Sequence, residues 1–260
     1  MKKFFLVCAL TAFAALPSLA ADSPWAGTWK LDLAKSNFTG DTFTYSKAAN
    51  GMMHFSDGSI ANYDFAIDGK DYKTVYDRTT AWTEAGNNAW DSVSKANGKV
   101  LVKVHRQLSA DGKTLTVTDT GTRPDGTTFH DETIYTRVTG TTGLVGKWRS
   151  TKVTISAPDS FVISCPSPGT IHWDIPAYKE SVEGKLDGTD LPITGPNVPP
   201  GLTLSVKQDA PNKLSYVVKG NGKADSYGIQ TLATDGKSFT DISWSAGKPD
   251  EKATGVYVKQ

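Results

Sequence analysis

The sequence predicts an all-β protein made of two tandem antiparallel up-and-down β-barrels of about eight strands each. Asn-Gly and Asp-Gly dipeptides separate runs of alternating apolar and polar residues. They are the strongest short-range signal for a hairpin, because a type I′ turn needs two residues that tolerate positive φ. The chain also repeats itself once, and no segment after residue 20 carries an apolar stripe of helical period over three turns.

The repeat defines two homologous units. Gly27-Thr28-Trp29 recurs as Gly146-Lys147-Trp148 after 119 residues, and the segment 108–113 recurs as 232–237 after 124 residues. The larger second offset indicates about five extra residues in the middle of the second copy. We therefore predict two domains, which span residues 21–139 and 143–260.

Turn spacing gives the strand count. The first unit has Asp-Gly or Asn-Gly turns at 68–69, 97–98, 111–112 and 125–126. Hairpins at this spacing fit roughly eight strands in about 120 residues. A closed barrel removes the unpaired edges of a meander, so we prefer it to an immunoglobulin-type sandwich. Residues 81–89 are predicted to be a short helix or a long loop.

One strand of the first unit supplies a candidate binding site. Val100, Val102 and Val104 alternate along it and are expected to face the barrel interior, with Arg106 next on that face. An inward arginine near the mouth could hold an acidic headgroup over an apolar cavity. The alternative is that Arg106 lies beyond the regular part of the strand and points to water.

The N-terminus reads as a secretory signal of residues 1–20. Lys2 and Lys3 precede an apolar stretch and a small-residue exit, with cleavage expected after Ala20. This predicts a periplasmic or secreted protein. Removing the two lysines changes the net charge from +1 to −1, so no partnership with nucleic acid is expected. The mature chain contains no stretch long and apolar enough for a transmembrane helix.

Several segments resemble exported bacterial lipocalin-like domains. They are Gly27 to Asp32, Ala34 to Phe38, the hairpin from Leu108 to Thr116 and the closing strand Ile134 to Arg137. The second unit keeps the Gly-x-Trp motif and the closing strand, but it inserts a Pro-rich region between residues 165 and 200. The resemblance implies a calycin-type barrel in each unit.

The resemblance also implies how each barrel closes. In such barrels the tryptophan of the Gly-x-Trp motif packs beneath a basic residue of the last strand. Trp29 would therefore pair with Arg137, and Trp148 with Lys259, as cation–π contacts. We interpret Gly27, Trp29, Arg137, Gly146, Trp148 and Lys259 as structural residues.

The Pro-rich insertion leaves two alternatives open. It is expected to form a stiff, aromatic loop that is unsuited to central strands. Such a loop could cap a barrel mouth or contact the neighbouring unit, or it could simply connect two strands. It begins with Cys165, the only thiol of the mature chain, which we expect to be a packed residue rather than a reactive one.

No catalytic or metal-binding constellation emerges from the spacing. The Ser-Gly patterns do not form a nucleophile elbow, and the four histidines are far apart. We therefore predict no enzyme activity, no metal and no cofactor. A hydrolase or isomerase in a barrel cup, and a 16-stranded membrane barrel with strands that look short and polar for it, are less favoured alternatives.

These observations predict a binding protein. We expect an exported lipocalin-like protein that binds or carries a small apolar or amphipathic ligand, with Arg106, Val102 and Val104 as candidate contacts. The alternative is a non-catalytic interaction or structural protein whose barrels are filled by side chains. The sequence identifies neither a protein partner nor the ligand.

Overall fold

The structure is a computed structural model that describes residues 23–260, so the predicted signal of residues 1–20 lies outside the described residues. The strands of the first repeat are β1 (Gly27–Leu31), β2 (Thr42–Lys47), β3 (Met53–Ser56), β4 (Asn62–Phe65), β5 (Asp71–Lys73), β6 (Arg78–Gly86), β7 (Ala89–Ala96), β8 (Lys99–Leu108), β9 (Thr114–Thr122) and β10 (Thr128–Arg137). Those of the second repeat are β11 (Gly146–Thr154), β12 (Ser160–Ser164), β13 (Thr170–Ile175), β14 (Glu180–Lys185), β15 (Asp187–Pro192), β16 (Leu202–Ala210), β17 (Lys213–Gly220), β18 (Lys223–Leu232), β19 (Ser238–Ser245) and β20 (Ala253–Lys259). Short 3-10 turns cover Leu33–Lys35, Ala49–Gly51 and Val75–Asp77.

The strands form two nearly closed antiparallel sheets of ten strands each, which confirms the all-β, barrel-like prediction. The sheet that we call the N barrel has the order β4-β3-β2-β11-β10-β9-β8-β7-β6-β5. The sheet that we call the C barrel has the order β14-β13-β12-β1-β20-β19-β18-β17-β16-β15. Ser181 and Thr194 form an antiparallel bridge between the two ends of the C barrel. Sequential neighbours pair, except at β1 and β11 and at the sheet ends, where β4 does not pair with β5 nor β14 with β15.

The two repeats exchange their first strands. β1 pairs with β12 and β20 of the second repeat, in register Trp29 with Phe161 and Trp29 with Lys259. β11 pairs with β2 and β10 of the first repeat, in register Trp148 with Phe43 and Trp148 with Arg137. The connections at 32–41 and 155–159 cross between the barrels. Each barrel therefore contains one strand from outside its predicted sequence range.

Two local predictions were wrong. The first error concerns the strand count of the N barrel and the second that of the C barrel, and each barrel has more than the eight strands predicted. Residues 81–89 are neither a helix nor a long loop, because β6 and β7 meet in a hairpin with Asn88 at positive φ. The insertion 165–200 is not a loop either. It contains β13, β14 and β15, and its side chains Trp173, Val182 and Leu191 are buried in the C-barrel core.

The insertion also contacts the neighbouring barrel. The Asp125 backbone N–H donates to the Ala177 carbonyl at 3.2 Å, and the Arg123 guanidinium lies 5.2 Å from the ring of Tyr178. Elsewhere the Thr42 backbone N–H donates to the Glu251 carboxylate at 2.9 Å. The two barrels therefore pack against each other through polar contacts as well as through the exchanged strands.

Candidate functional site

The C barrel contains a cavity of about 220 Å³ among the side chains of its interior face. Side chains from seven strands, β12 to β14 and β16 to β19, converge on it, and it is partly open to solvent. Its lining is mostly apolar and consists of Phe161, Trp173, Ile175, Glu180, Ser181, Val182, Ile193, Leu204, Tyr216, Val218, Gln230 and Asp241. An engineered apolar cavity of about 150 Å³ holds benzene, so this one has room for a ring with a short substituent.

Three polar side chains on neighbouring strands form one side of this cavity. Gln230 of β18 lies directly opposite Asp241 of β19, and its Nε2 donates to Asp241 Oδ2 at 2.8 Å. The Tyr216 hydroxyl of β17 donates to Asp241 Oδ1 at 3.0 Å. Tyr216 reaches Asp241 across Gly228, where any side chain would overlap the tyrosine ring. We call Tyr216, Gln230 and Asp241 the polar cluster.

The polar cluster holds an acid without a cation. Burial is the main cause that raises the pKa of the Asp241 carboxyl, and the hydrogen bonds from Gln230 and Tyr216 oppose it. Burial and the nearby Asp241 charge raise the pKa of the Tyr216 hydroxyl well above its ordinary value. The cluster therefore combines a carboxyl group that ionises with difficulty and two neutral hydrogen-bond donors.

Two buried polar atoms of the lining have no hydrogen-bond partner within residues 23–260. They are Gln230 Oε1, an acceptor, and Trp173 Nε1, a donor. Gln230 is only 3% exposed. Buried polar groups are nearly always hydrogen-bonded. These two atoms are therefore candidate hydrogen-bond partners for a polar group of a ligand.

The sequence-predicted site lies in the other barrel. Val104 is buried, Val102 is half-buried and both line the N-barrel core, whereas Val100 is 45% exposed. Val100 departs from the predicted alternation because the β7–β8 register shifts between Val102 and Val100. Such a bulge turns the following side chains away from the interior.

Arg106 faces the N-barrel interior and not water. Its guanidinium carbon lies 4.0 Å from the centroid of the Trp82 ring, and its Nη1 donates to the Ser92 hydroxyl at 2.8 Å. Burial raises the pKa of the Asp119 carboxyl nearby, and the Arg106 charge opposes that shift. The protein's own side chains therefore already contact the guanidinium that we expected to hold a ligand.

The N-barrel interior is densely packed with aromatic rings. Phe65 stacks on Trp82 with centroids 4.3 Å apart, and Tyr45 meets the same ring edge-on at 5.9 Å. Both Phe65 and Trp82 are fully buried. This arrangement resembles a filled core more than a ligand cavity.

The structural motif residues pair differently from the prediction. Arg137 lies over Trp148, with 4.1 Å between the guanidinium carbon and the ring centroid, and Lys259 Nζ lies 5.2 Å from the Trp29 centroid. The predicted pairs Trp29–Arg137 and Trp148–Lys259 are wrong, because the strand exchange moves each tryptophan beneath the basic residue of the other repeat. A side chain at Gly27 would overlap Lys259, and one at Gly146 would overlap the Thr139 carbonyl.

The other reactive groups of the described residues lie outside the C-barrel cavity. Three histidines make exposed cross-strand pairs with acids: His54 with Asp64, His105 with Asp91 and His172 with Glu183. Cys165 is free, half-buried and packed against the C-barrel core. Among residues 23–260, no cluster of three or more histidine, cysteine or acidic side chains is placed to hold a metal ion.

Sequence reasoning missed the polar cluster. The 124-residue offset that aligns Leu108 with Leu232 also aligns Arg106 with Gln230, so the repeat itself contained the signal. The candidate arginine position thus has a glutamine counterpart in the second repeat. Asp241 could not be found this way, because the same offset aligns it with Val117.

No protein-family model matches the chain, and neither a curated protein nor a solved structure is significantly similar to it. None of the helical segments between residues 23 and 260 has the length and apolar character needed to cross a bilayer.

Proposed function

We propose that the protein is an exported binding protein that holds one small, mostly apolar molecule in the C-barrel cavity. The observation that carries this proposal is the cavity of about 220 Å³, whose mostly apolar lining includes the polar cluster, Glu180 and Ser181. This combination is typical of ligand sites, in which apolar walls provide affinity and a few polar groups fix orientation. The lipocalin-like features of the sequence support the same function by analogy.

The N barrel has a different role in this proposal. Its candidate residues Arg106, Val102 and Val104 contribute to a packed interior. This packing favours a structural role for the N barrel rather than ligand binding. The alternative function, a scaffold with filled barrels, is thus supported by this half of the molecule. The two proposed functions make different predictions only for the C barrel, which binds a ligand in the first and is filled by side chains in the second.

Export remains part of the proposal. If residues 1–20 are a signal, mass spectrometry of the protein from a bacterial periplasm gives a chain that begins at Ala21. A chain that keeps Met1 and stays in the cytoplasm contradicts export.

Native mass spectrometry of the same gently purified protein tests ligand binding. An additional mass that is lost on denaturation supports the carrier function and gives the ligand's mass. We expect Val218→Phe, which fills the cavity from β17, to abolish it. The matched control is Ser94→Phe, at the corresponding position of β7 in the N barrel, which is expected to keep the additional mass. A chain without additional mass that also binds no small apolar probe favours the scaffold function.

A further inference from the structure

The charge of the C-barrel cavity restricts its ligand. Among the described residues that line it, Asp241 and Glu180 carry carboxyl groups, and there is no lysine, arginine or histidine. The charge of Arg78, outside the lining, acts on Glu180, whereas no cation among the described residues acts on Asp241. A buried carboxylate without a cation is unfavourable, because its charge loses solvation without gaining a partner. The lining therefore favours a ligand that brings a positive charge.

The polar cluster also supplies the acceptors that such a ligand needs. Asp241 accepts hydrogen bonds from two neutral donors, Tyr216 and Gln230, and carboxylate oxygens have further lone pairs. Gln230 Oε1 is a second acceptor beside it, without a partner among residues 23–260. An ammonium group has three N–H donors and no acceptor, so it suits this pair of acceptors.

The aromatic wall fits the same kind of ligand. Phe161 and Trp173 line the cavity as a stacked pair with centroids 6.4 Å apart, and Tyr216 meets Trp173 edge-on. Aromatic faces attract cations as well as apolar rings.

The N barrel shows what the C barrel lacks. At the position that corresponds to Gln230, the N barrel has Arg106, whose guanidinium lies over an aromatic ring and whose charge opposes the burial-driven rise in the pKa of the Asp119 carboxyl. The N barrel thus contains both a buried acid and its cation. The C barrel contains the buried acid Asp241, while a neutral glutamine takes the place of the arginine.

We propose that the C-barrel cavity binds a small aromatic or aliphatic amine, with its ammonium group on Asp241 and Gln230 Oε1 and its apolar part against Phe161 and Trp173. This inference rests on the proposed function, since it names the ligand class of the same cavity.

Isothermal titration calorimetry of the full mature chain, unfolded and refolded to remove any resident ligand, tests the proposal with three probes of similar size. They are 2-phenylethylamine, n-propylbenzene and 3-phenylpropionate. We expect the amine to bind at least about tenfold more tightly than propylbenzene, and phenylpropionate to bind weakest. Equal affinities, or a preference for the anion, overturn the amine proposal but leave the cavity function standing. Failure of all three to bind overturns both.

Variants separate the charge from the cavity. Asp241→Asn keeps the shape of the site and is expected to remove the preference for the amine while propylbenzene still binds. The matched control is Asp119→Asn in the N barrel, which is expected to keep the preference. If Asp241→Asn retains a tenfold preference, the acid assignment is wrong.

If Asp241→Asn does not fold, binding of the amine and of propylbenzene to the unaltered chain at different pH values tests the proposal instead. The titratable groups that face Asp241 are Tyr216 and Tyr257, with Glu180 also in the lining. The tyrosines stay neutral below pH 7, since the pKa values of both are raised. We expect affinity for the amine to fall as pH is lowered from 7 to 4, while affinity for propylbenzene stays constant. Parallel behaviour of both probes contradicts the proposal.

Discussion

Trp148 lies beneath Arg137, 4.1 Å from ring centroid to guanidinium carbon, although the two residues belong to different repeats. The corresponding pair, Trp29 and Lys259, also joins the two repeats. Each barrel is closed by a tryptophan from one repeat and a basic side chain from the other. Neither repeat can therefore leave the other without losing the first strand of its barrel.

Cross-linking tests the strand exchange. Thr136 of β10 and Arg149 of β11 are register partners, and both side chains are exposed. In a Cys165→Ser background, we expect Thr136→Cys combined with Arg149→Cys to form an intramolecular cross-link with a short thiol reagent. Peptide mapping identifies the linked pair.

The matched control is Thr136→Cys combined with Lys30→Cys. Lys30 is the counterpart of Arg149 in the first repeat, and it pairs with Val258 in the C barrel. If each repeat kept its own first strand, this second pair would be adjacent. An efficient link between 136 and 30, without one between 136 and 149, contradicts the exchange.

Arg137 is expected to contribute more to stability than Lys259. Its three guanidinium nitrogens donate to the carbonyls of Gly112, Val145 and Gly143 at 2.6 to 2.7 Å. Arg137→Ala leaves these carbonyls unpaired and removes the contact with Trp148, so we expect a loss of about 3 kcal/mol in the free energy of unfolding. Lys259→Ala, the control, removes a single cation–π contact and is expected to cost under about 1 kcal/mol. Urea unfolding measures both, and equal losses contradict this account.

Local chemistry made much of the fold predictable. The Asp111-Gly112 and Asp235-Gly236 turns specify hairpins through glycines at positive φ, and the alternation around Val104 specifies a strand with one buried face. The exchange of first strands was not predictable in this way. Gly27-x-Trp29 and Gly146-x-Trp148 carry the same motif, so either strand offers the same local interactions to either barrel. What differs is the path of the connections, which depends on the packing of the whole molecule.

The cavity was unpredictable for a related reason. The volume of the cavity depends on which of many similar apolar side chains leave space. Its polar cluster brings together residues from three strands, β17, β18 and β19, which are separated by hairpins in the sequence. The N barrel offers the more obvious sequence signal, a lone arginine among valines, yet Arg106 is already engaged by Trp82 and Ser92. In the second repeat a glutamine replaces that arginine. The repeat alignment shows this replacement, but it does not show that Gln230 lies opposite Asp241.

Gly228 is expected to control the shape of the cavity. It has no side chain, so the Tyr216 ring can lie across β18 and reach Asp241. Gly228→Ala forces the ring away, and we expect a loss of about 2 kcal/mol in the free energy of unfolding together with weaker binding of propylbenzene. Because φ at Gly228 is not in the left-handed region, the effect is steric rather than conformational.

Gly222→Ala is the opposite control. Gly222 lies in open space at positive φ, so the substitution is expected to lower stability through backbone strain without weakening binding. Unchanged binding in Gly228→Ala contradicts this role.

Asp241 is expected to make stability depend on pH. Burial raises the pKa of its carboxyl above 3.8 in the folded state, so the folded chain binds more protons than the unfolded chain between those two pKa values. Its contribution to the free energy of unfolding therefore falls as pH rises through this range and stays at its lowest level above the folded pKa. Asp241→Asn does not titrate and keeps an oxygen that accepts from Tyr216 and Gln230. We expect the ligand-free variant to be more stable than the unaltered chain by about 1 kcal/mol at pH 7, and the gain to shrink towards pH 4.

Asp119→Asn provides the contrast, measured by urea unfolding over the same pH range. Burial raises the pKa of the Asp119 carboxyl too, but there the nearby Arg106 charge opposes the rise. We therefore expect Asp119→Asn to gain less stability at pH 7 than Asp241→Asn does. The same gain for both variants would show that the cation in the N barrel makes no energetic difference. It would also remove the physical reason for expecting a cationic ligand in the C barrel.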